Sequence, residues 1–272
     1  MKLSIAALLA LLVAPGACGH TSSASGDAGA PPPGTSDSGA SDGSADPPEP
    51  DDPLDILAFT RTTGFRHASI EPAVEALRAM SAVRGWRFEQ TEDPARFADS
   101  ELASADVIVF LLTTGDVLDE AQQGALERWM KLGRGWVGVH SASDTEYDWP
   151  WYGGLVGAYF AAHPAVQSAT VRVAKRGHPS TAHLPAAWQR EDEWYDFRAN
   201  PRSSVDVLLT VDESTYAGGH MGADHPIAWS HSYGGGRSFY TALGHTDASW
   251  EEQAFLDHLA GGITWAAGAR TR

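Results

Sequence analysis

Short apolar runs alternate with helix-like stretches from residue 54 onward, and polar clusters close each run. Asp55-Ile56-Leu57-Ala58-Phe59-Thr60 has the continuous apolar character of a buried strand. Ser69 stands where a helix N-cap is expected, before Ile70 to about Arg84; Val74, Leu77 and Met80 share a face there, and Gly85 supplies a stop. A second strand is expected over residues 86–90. Residues 106–112 (Asp-Val-Ile-Val-Phe-Leu-Leu) read as a central parallel strand, apolar on both faces. A helix follows from Asp119 to about Leu132, and Gly135 to His140 make a fourth strand. Strand, helix and strand at this spacing predict βαβ units, hence an α/β domain with a doubly wound, mostly parallel sheet. Later residues are less regular. Residues 205–210, 226–231 and 238–243 read as strands, with Tyr233-Gly234-Gly235-Gly236-Arg237 as a turn giving a hairpin or a short crossover. A last helix is expected from Ser249, with Trp250, Phe255, Leu259 and Ile263 on one side. No internal repeat is present.

The first 52 residues follow a different pattern. Lys2 precedes an apolar run from Leu3 to Val13, shorter than the roughly 20 residues a membrane-spanning helix needs and suited to a signal peptide. It ends in Pro15-Gly16-Ala17-Cys18, small residues before a cysteine, as in a bacterial lipobox, although Pro15 occupies a position usually held by leucine. Residues 1–18 are therefore expected to direct export, with Cys18 lipidated and the protein held in the cell envelope, its domain facing the periplasm or the exterior. Acyl chains contribute about 0.8 kcal/mol per buried CH₂, so several give stable attachment. Residues 19–52 are almost wholly Gly, Ser, Ala, Asp, Pro and Thr. With no aromatic or large aliphatic residue to bury, they are expected to form a disordered tether.

All ten tryptophans, all seven tyrosines and ten of the eleven histidines fall in the remaining 53–272, a single domain. The net charge is −16, and no Lys/Arg cluster is present, which argues against a nucleic-acid partner and against membrane contact other than through the anchor. Cys18 is the only cysteine, so the domain has neither disulfides nor a thiolate nucleophile.

In a doubly wound sheet ligands bind at the carboxyl ends of the strands. Four polar clusters stand there: Thr62 to His67, Thr113-Thr114-Gly115-Asp116, His140-Ser141-Ala142-Ser143-Asp144, and Leu243-Gly244-His245-Thr246. His67, His140 and His245 are thereby expected around one cleft. His140 would act as general acid or base and Asp144 would orient it or act on the substrate. Asp116 is a candidate either for the site or for the cap of the following helix. Imidazoles and carboxylates also suit a divalent metal such as zinc, but no H-E-x-x-H occurs and the histidine spacings name no ligand set. Most aromatic residues between Asp144 and Tyr159 are expected to close a core beside the sheet, and one or two to line the pocket, where aromatic faces can stack on a ligand ring; Trp149 and Tyr152 are the candidates, beside Thr114, Asp116 and Glu193.

Gly64-Phe65-Arg66-His67, Thr113 to Leu118, Val139 to Thr145, Trp149-Pro150-Trp151-Tyr152, His163-Pro164, Asp192-Glu193-Trp194-Tyr195, Asp224 to Trp229 and Ala242-Leu243-Gly244-His245 occur in order. In these stretches the chain resembles the ThuA-like (trehalose utilisation) family over nearly all of residues 54–268. The resemblance implies a flavodoxin-like fold similar to class I glutamine amidotransferases, and a small sugar or keto-sugar as ligand. Those enzymes place a cysteine at the turn after the strand matching Gly135–His140. Here His140 and Ser141 stand there, so thiol-based glutamine hydrolysis is impossible, and residues 138–142 lack the G-x-S-x-G elbow that would activate Ser141. The expected function is acid–base chemistry on a carbohydrate; the alternative is a non-catalytic carbohydrate-binding module of the cell envelope.

Overall fold

The computed structural model describes residues 53–268; the signal-like stretch, Cys18 and the tether lie outside the described residues. The chain runs β1 (Asp55–Phe59), α1 (Ile70–Arg84), β2 (Arg87–Thr91), α2 (Asp99–Leu102), β3 (Val107–Leu111), α3 (Glu120–Met130), β4 (Gly135–Val139) and α4 (Pro150–Val156). It continues through β5 (Phe160–Ala162), β6 (Gln167–Val173), β7 (Ala187–Asp192), β8 (Asp196–Phe197), β9 (Asp206–Asp212), β10 (Pro226–Tyr233), β11 (Gly236–Thr241) and α5 (Gln253–Ala267). None of the described helices is long and apolar enough to cross a membrane.

Nine strands form one sheet in the order β2-β1-β3-β4-β11-β10-β9-β6-β7, and β5 pairs with β8 separately. The neighbours from β2 to β11 are parallel, whereas those from β11 to β7 are antiparallel. The sheet is therefore mixed, correcting the mostly parallel one expected from the first half of the chain. The reversal begins at Gly234-Gly235, whose positive φ values of 60° and 97° allow the tight turn that returns β11 directly beside β10. A hairpin needs no crossover helix, so the strands beyond it alternate in direction.

Every residue of β3 and β4 is buried, as expected of central strands covered on both faces. Adjacent residues of β11 show what covers each face. Ser238 Oγ donates to the Leu155 carbonyl of α4 at 2.6 Å, while a Cβ added to Gly262 of α5 would lie 2.4 Å from the Phe239 ring. On the α4 face, Phe110, Trp136 and Tyr152 pack with centroids 5.6–5.7 Å apart. Phe59, Phe97 and Phe110 form a second aromatic group with centroids 4.5–5.8 Å apart.

Two caps differ from the sequence expectation. Ser69 makes no cap bond to α1; its Oγ lies 3.5 Å from the Gly244 carbonyl instead. Asp119, not Asp116, caps α3, in a reciprocal capping box with Gln122. Gly85 does end α1, at φ 69°, with its N–H turned back onto the last turn. Because β1, β3, β4 and β11 are neighbours, the loops leaving their carboxyl ends lie side by side.

A candidate metal centre at the carboxyl edge

His140 is the first residue past β4 and has φ +52°, a left-handed conformation that costs a non-glycine residue on the order of 1–3 kcal/mol. Tight interactions hold it there. The Tyr240 hydroxyl donates to its carbonyl at 2.7 Å, and its ring Nδ1 lies 2.7 Å from the Ala242 carbonyl. A carbonyl only accepts, so Nδ1 carries the proton and Nε2 presents a lone pair. That lone pair faces His245 Nδ1 at 3.2 Å and Glu193 Oε2 at 3.4 Å, and the same Glu193 oxygen is 3.1 Å from His245 Nδ1.

His67, on the loop between β1 and α1, completes the group. Its ring centroid is 4.9 Å from that of His140 and 5.2 Å from that of His245, and Ser141 Oγ lies 3.4 Å from its Nδ1. One ligand atom from each of His67, His140, Glu193 and His245 lies within 4.8 Å of all the others. Burial, and next the neighbouring His140 and His245, lower the His67 pKa to about 3, so this ring is neutral. Burial alone would raise the Glu193 carboxyl, but the neighbouring imidazoles of His140 and His245 together outweigh it and hold the group below the usual range. Burial is the largest single effect on His245 and lowers it, but the hydrogen bond to Glu193 and the charges of Glu193, Asp192 and Asp247 together move it up.

Asp192 holds two members of this group. This fully buried carboxylate accepts the backbone N–H of Glu193 at 3.0 Å, of His245 at 3.0 Å and of Gly244 at 2.9 Å. Arg190 Nη2 neutralises it at 2.9 Å. The end of β7 is thus fixed to the loop after β11, across the sheet. His163 Nδ1 meets the second Glu193 oxygen at 2.8 Å and reaches solvent.

The donors fit a divalent ion. Bonds of about 2.0–2.1 Å at tetrahedral angles separate neighbouring ligand atoms by roughly 3.3 Å, and the three separations among His140, His245 and Glu193 are 3.1–3.4 Å. Lone pairs on His140 Nε2 and Glu193 Oε2 also face each other, which a shared proton or a metal ion would satisfy. Imidazole and carboxylate donors together suit zinc and related divalent metals. The Ala242 carbonyl on His140 is the outer partner that metal-ligating histidines usually have.

A second group, Asp196, Glu213 and His225, is also close enough for an ion. Its atoms are already occupied. Glu213 Oε1 accepts Met221 N at 2.7 Å and Gly222 N at 2.9 Å and lies 2.8 Å from His225 Nδ1; His225 Nε2 donates to the Tyr195 carbonyl at 2.8 Å. Asp196 accepts His220 N at 3.1 Å and pairs with its ring at 2.9 Å.

The remaining candidates lie elsewhere. Asp144 does not orient His140; its Oδ1 accepts the Tyr147 hydroxyl at 2.6 Å. Thr114 is buried, and its Oγ1 donates to the Phe65 carbonyl at 2.7 Å, so it fastens the loop that carries His67. Asp116 is exposed, and its backbone carbonyl accepts the Thr63 hydroxyl at 3.1 Å. Trp149 and Tyr152 are buried in the core: Trp149 stacks on Trp151 at 5.0 Å, and the Tyr152 hydroxyl donates to the Ala142 carbonyl at 2.7 Å. Glu193 is central to the cluster, and His163 and Asp192 were not among the sequence candidates.

An α/β domain with a large mixed sheet, carrying a three-histidine, one-carboxylate cluster at its carboxyl edge, is the class of protein these features define. The family described as trehalose utilisation, ThuA, matches residues 55–266, and the chain belongs to it. Among solved structures it is similar to a ThuA-like protein from Bacteroides uniformis, with 26% identity and TM-score 0.69 over 80% of this chain and 93% of that one. A ThuA-like protein from Parabacteroides merdae has the same fold at 19% identity, with TM-score 0.66 over 80% and 91% of the two chains. A search of curated proteins gives no match.

Proposed function

We propose that this ThuA-family domain is an enzyme that acts on a small sugar or keto-sugar by acid–base chemistry, with His67, His140, His245 and Glu193 holding a divalent ion such as zinc. The convergence of those four ligand atoms within 4.8 Å carries the reading. Such an ion supplies Lewis-acid polarisation of a bound carbonyl or hydroxyl oxygen. The residues supply the rest. His140 is locked in one tautomer by the Ala242 carbonyl, so its Nε2 stays available. Asp192 keeps His245 and Glu193 in register. His163, paired with Glu193 and half open to solvent, moves protons between the cluster and the outside. The family description supports a trehalose-related sugar as the substrate class. We further propose that the protein is exported and anchored through Cys18.

The test is metal content and turnover in the purified protein. One zinc ion per chain is expected, together with conversion of a trehalose-type glycoside or its 3-keto derivative that is lost on chelation and restored by zinc. Failure to retain or bind any divalent ion would remove the metal; sugar binding with no turnover, with metal bound, would leave a carbohydrate-binding module.

A further inference from the structure

Four large apolar side chains are exposed among the described residues: Phe65, Val83, Leu132 and Val166. Two of them, Phe65 and Val166, line the same cleft of about 300 Å³, and His67 and His245 of the metal-binding cluster line it too. His140 is fully buried and Glu193 nearly so. Ser69 and Asp247 add a hydroxyl and a carboxylate to the cleft wall.

The exposure of Phe65 is imposed by its loop. Thr63 N donates to the Thr114 carbonyl at 2.9 Å, Thr114 Oγ1 donates to the Phe65 carbonyl at 2.7 Å, and Thr62 bridges to Thr114. The ring stands edge-on to His67, with centroids 4.9 Å apart and planes at 85°. A backbone fastened this closely keeps a residue 66% exposed at the mouth of the cleft. A solvent-facing aromatic ring carries apolar area that a ligand can cover.

We infer that this cleft is a subsite for an uncharged glycoside: one sugar ring lays its C–H face on Phe65 and Val166, and its hydroxyls bond Asp247 and turn toward the side of the cleft lined by His67 and His245. The inference rests on the proposed sugar chemistry and narrows it. A pyranose has an apolar face and a polar edge, and the cleft has an apolar rim and a polar floor to match. At the rim, charge disfavours phosphorylated sugars. None of the described residues lining the cleft is lysine or arginine, Asp247 is an acid, and neighbouring Arg66 is committed to Glu71 and Glu92 at 2.8 and 2.9 Å. A phosphate at the rim, away from the ion, would meet the Asp247 carboxylate with no lysine or arginine to compensate.

The test titrates the zinc-loaded full chain with α,α-trehalose and with glucose 6-phosphate, in wild type, Phe65→Ala, Phe65→Trp and Asp247→Asn. Phe65→Ala should weaken trehalose binding roughly tenfold, from the loss of covered apolar area, with zinc affinity and melting temperature unchanged. Phe65→Trp should keep the affinity, and Asp247→Asn should lower it several-fold. Glucose 6-phosphate should bind wild type at least tenfold more weakly than the neutral sugar. Equal trehalose binding by Phe65→Ala and wild type overturns the subsite alone, as does a preference for the phosphate. If zinc-loaded wild type binds no neutral glycoside, the sugar reading falls and takes the subsite with it.

Discussion

Among the described residues stand two histidine–carboxylate groups of similar compactness, and they differ in what fills their acceptors. In the Asp196/Glu213/His225 group each acceptor is filled by its own chain. Glu213 gathers two backbone N–H groups and a histidine, and so clasps the segment from 213 to 225. In the His67/His140/Glu193/His245 group the ring and carboxylate atoms turn toward one another, and the chain satisfies them from behind, through the Ala242 carbonyl and through Asp192. Closeness alone does not mark a site. Lone pairs left facing a common point set one group apart, since most buried polar groups in proteins are paired.

Removing a ligand should give the largest contrast. His140→Ala should weaken zinc binding by more than a hundredfold, on the order of 3 kcal/mol if four ligands share a binding energy of about 10–16 kcal/mol. Glu213→Gln should leave zinc affinity untouched, and calorimetric titration of both variants decides. An unchanged affinity in His140→Ala would mean that the two groups do not differ as described.

Stability should show the reverse. Glu213→Ala removes an acceptor for two backbone N–H groups and the partner of a buried histidine, and should cost about 2–3 kcal/mol in urea unfolding. His67→Ala in metal-free protein should cost under about 1 kcal/mol, because sites are shaped for ligands more than for stability.

Asp192→Asn sharpens the contrast from outside the ligand set. With its fixed negative charge lost, His245 and Glu193 are held less firmly, and zinc affinity should fall about tenfold, in the range for outer-shell partners. A variant that unfolds less stably but binds zinc as before would show that Asp192 serves the fold alone.

The smallest effect concerns a histidine outside both groups. His258 lies fully buried, between the Ser180 carbonyl at 2.9 Å and Thr241 Oγ1 at 3.2 Å, and burial lowers its pKa to about 3. Its folded value lies below the unfolded value of about 6.5, so the unfolded chain takes up a proton that the folded one refuses. Stability is therefore full above about pH 6.5 and falls as pH drops from there toward 3. His258 should account for about 1 kcal/mol of stability lost between pH 7.5 and 5.5. Chemical denaturation of His258→Gln at both pH values should show that share of the loss removed.

The parallel half of the fold was written in local pattern. Val107–Leu111 and Gly135–Val139 are buried on both faces, so their sequences carry unbroken apolar runs, and α1 has the residue range its periodicity and Gly85 imply. Three of the four cluster residues could be placed for the same reason, since a polar residue just past such a run must lie at the sheet's edge. β7 gave no such signal. It alternates correctly, but its buried positions are Trp188, Arg190 and Asp192, and a buried Arg–Asp pair reads in sequence like surface. Glu193 inherited that ambiguity.

The order of apolar runs and their polar ends, together with the absence of any cysteine beyond Cys18, was determined by the sequence itself. That included which histidines leave the strand ends, because burial and strand period act over a few residues. Tertiary structure alone decided that Glu193 and not Asp144 meets His140, that Trp149 and Tyr152 fill the core while Phe65 faces solvent, and that the sheet reverses direction after β11. The meeting of Glu193 with His140 depends on chain segments distant in sequence, as when β7 meets the loop after β11 through Asp192. No local pattern encodes which of two nearby carboxylates the chain will bring to a histidine.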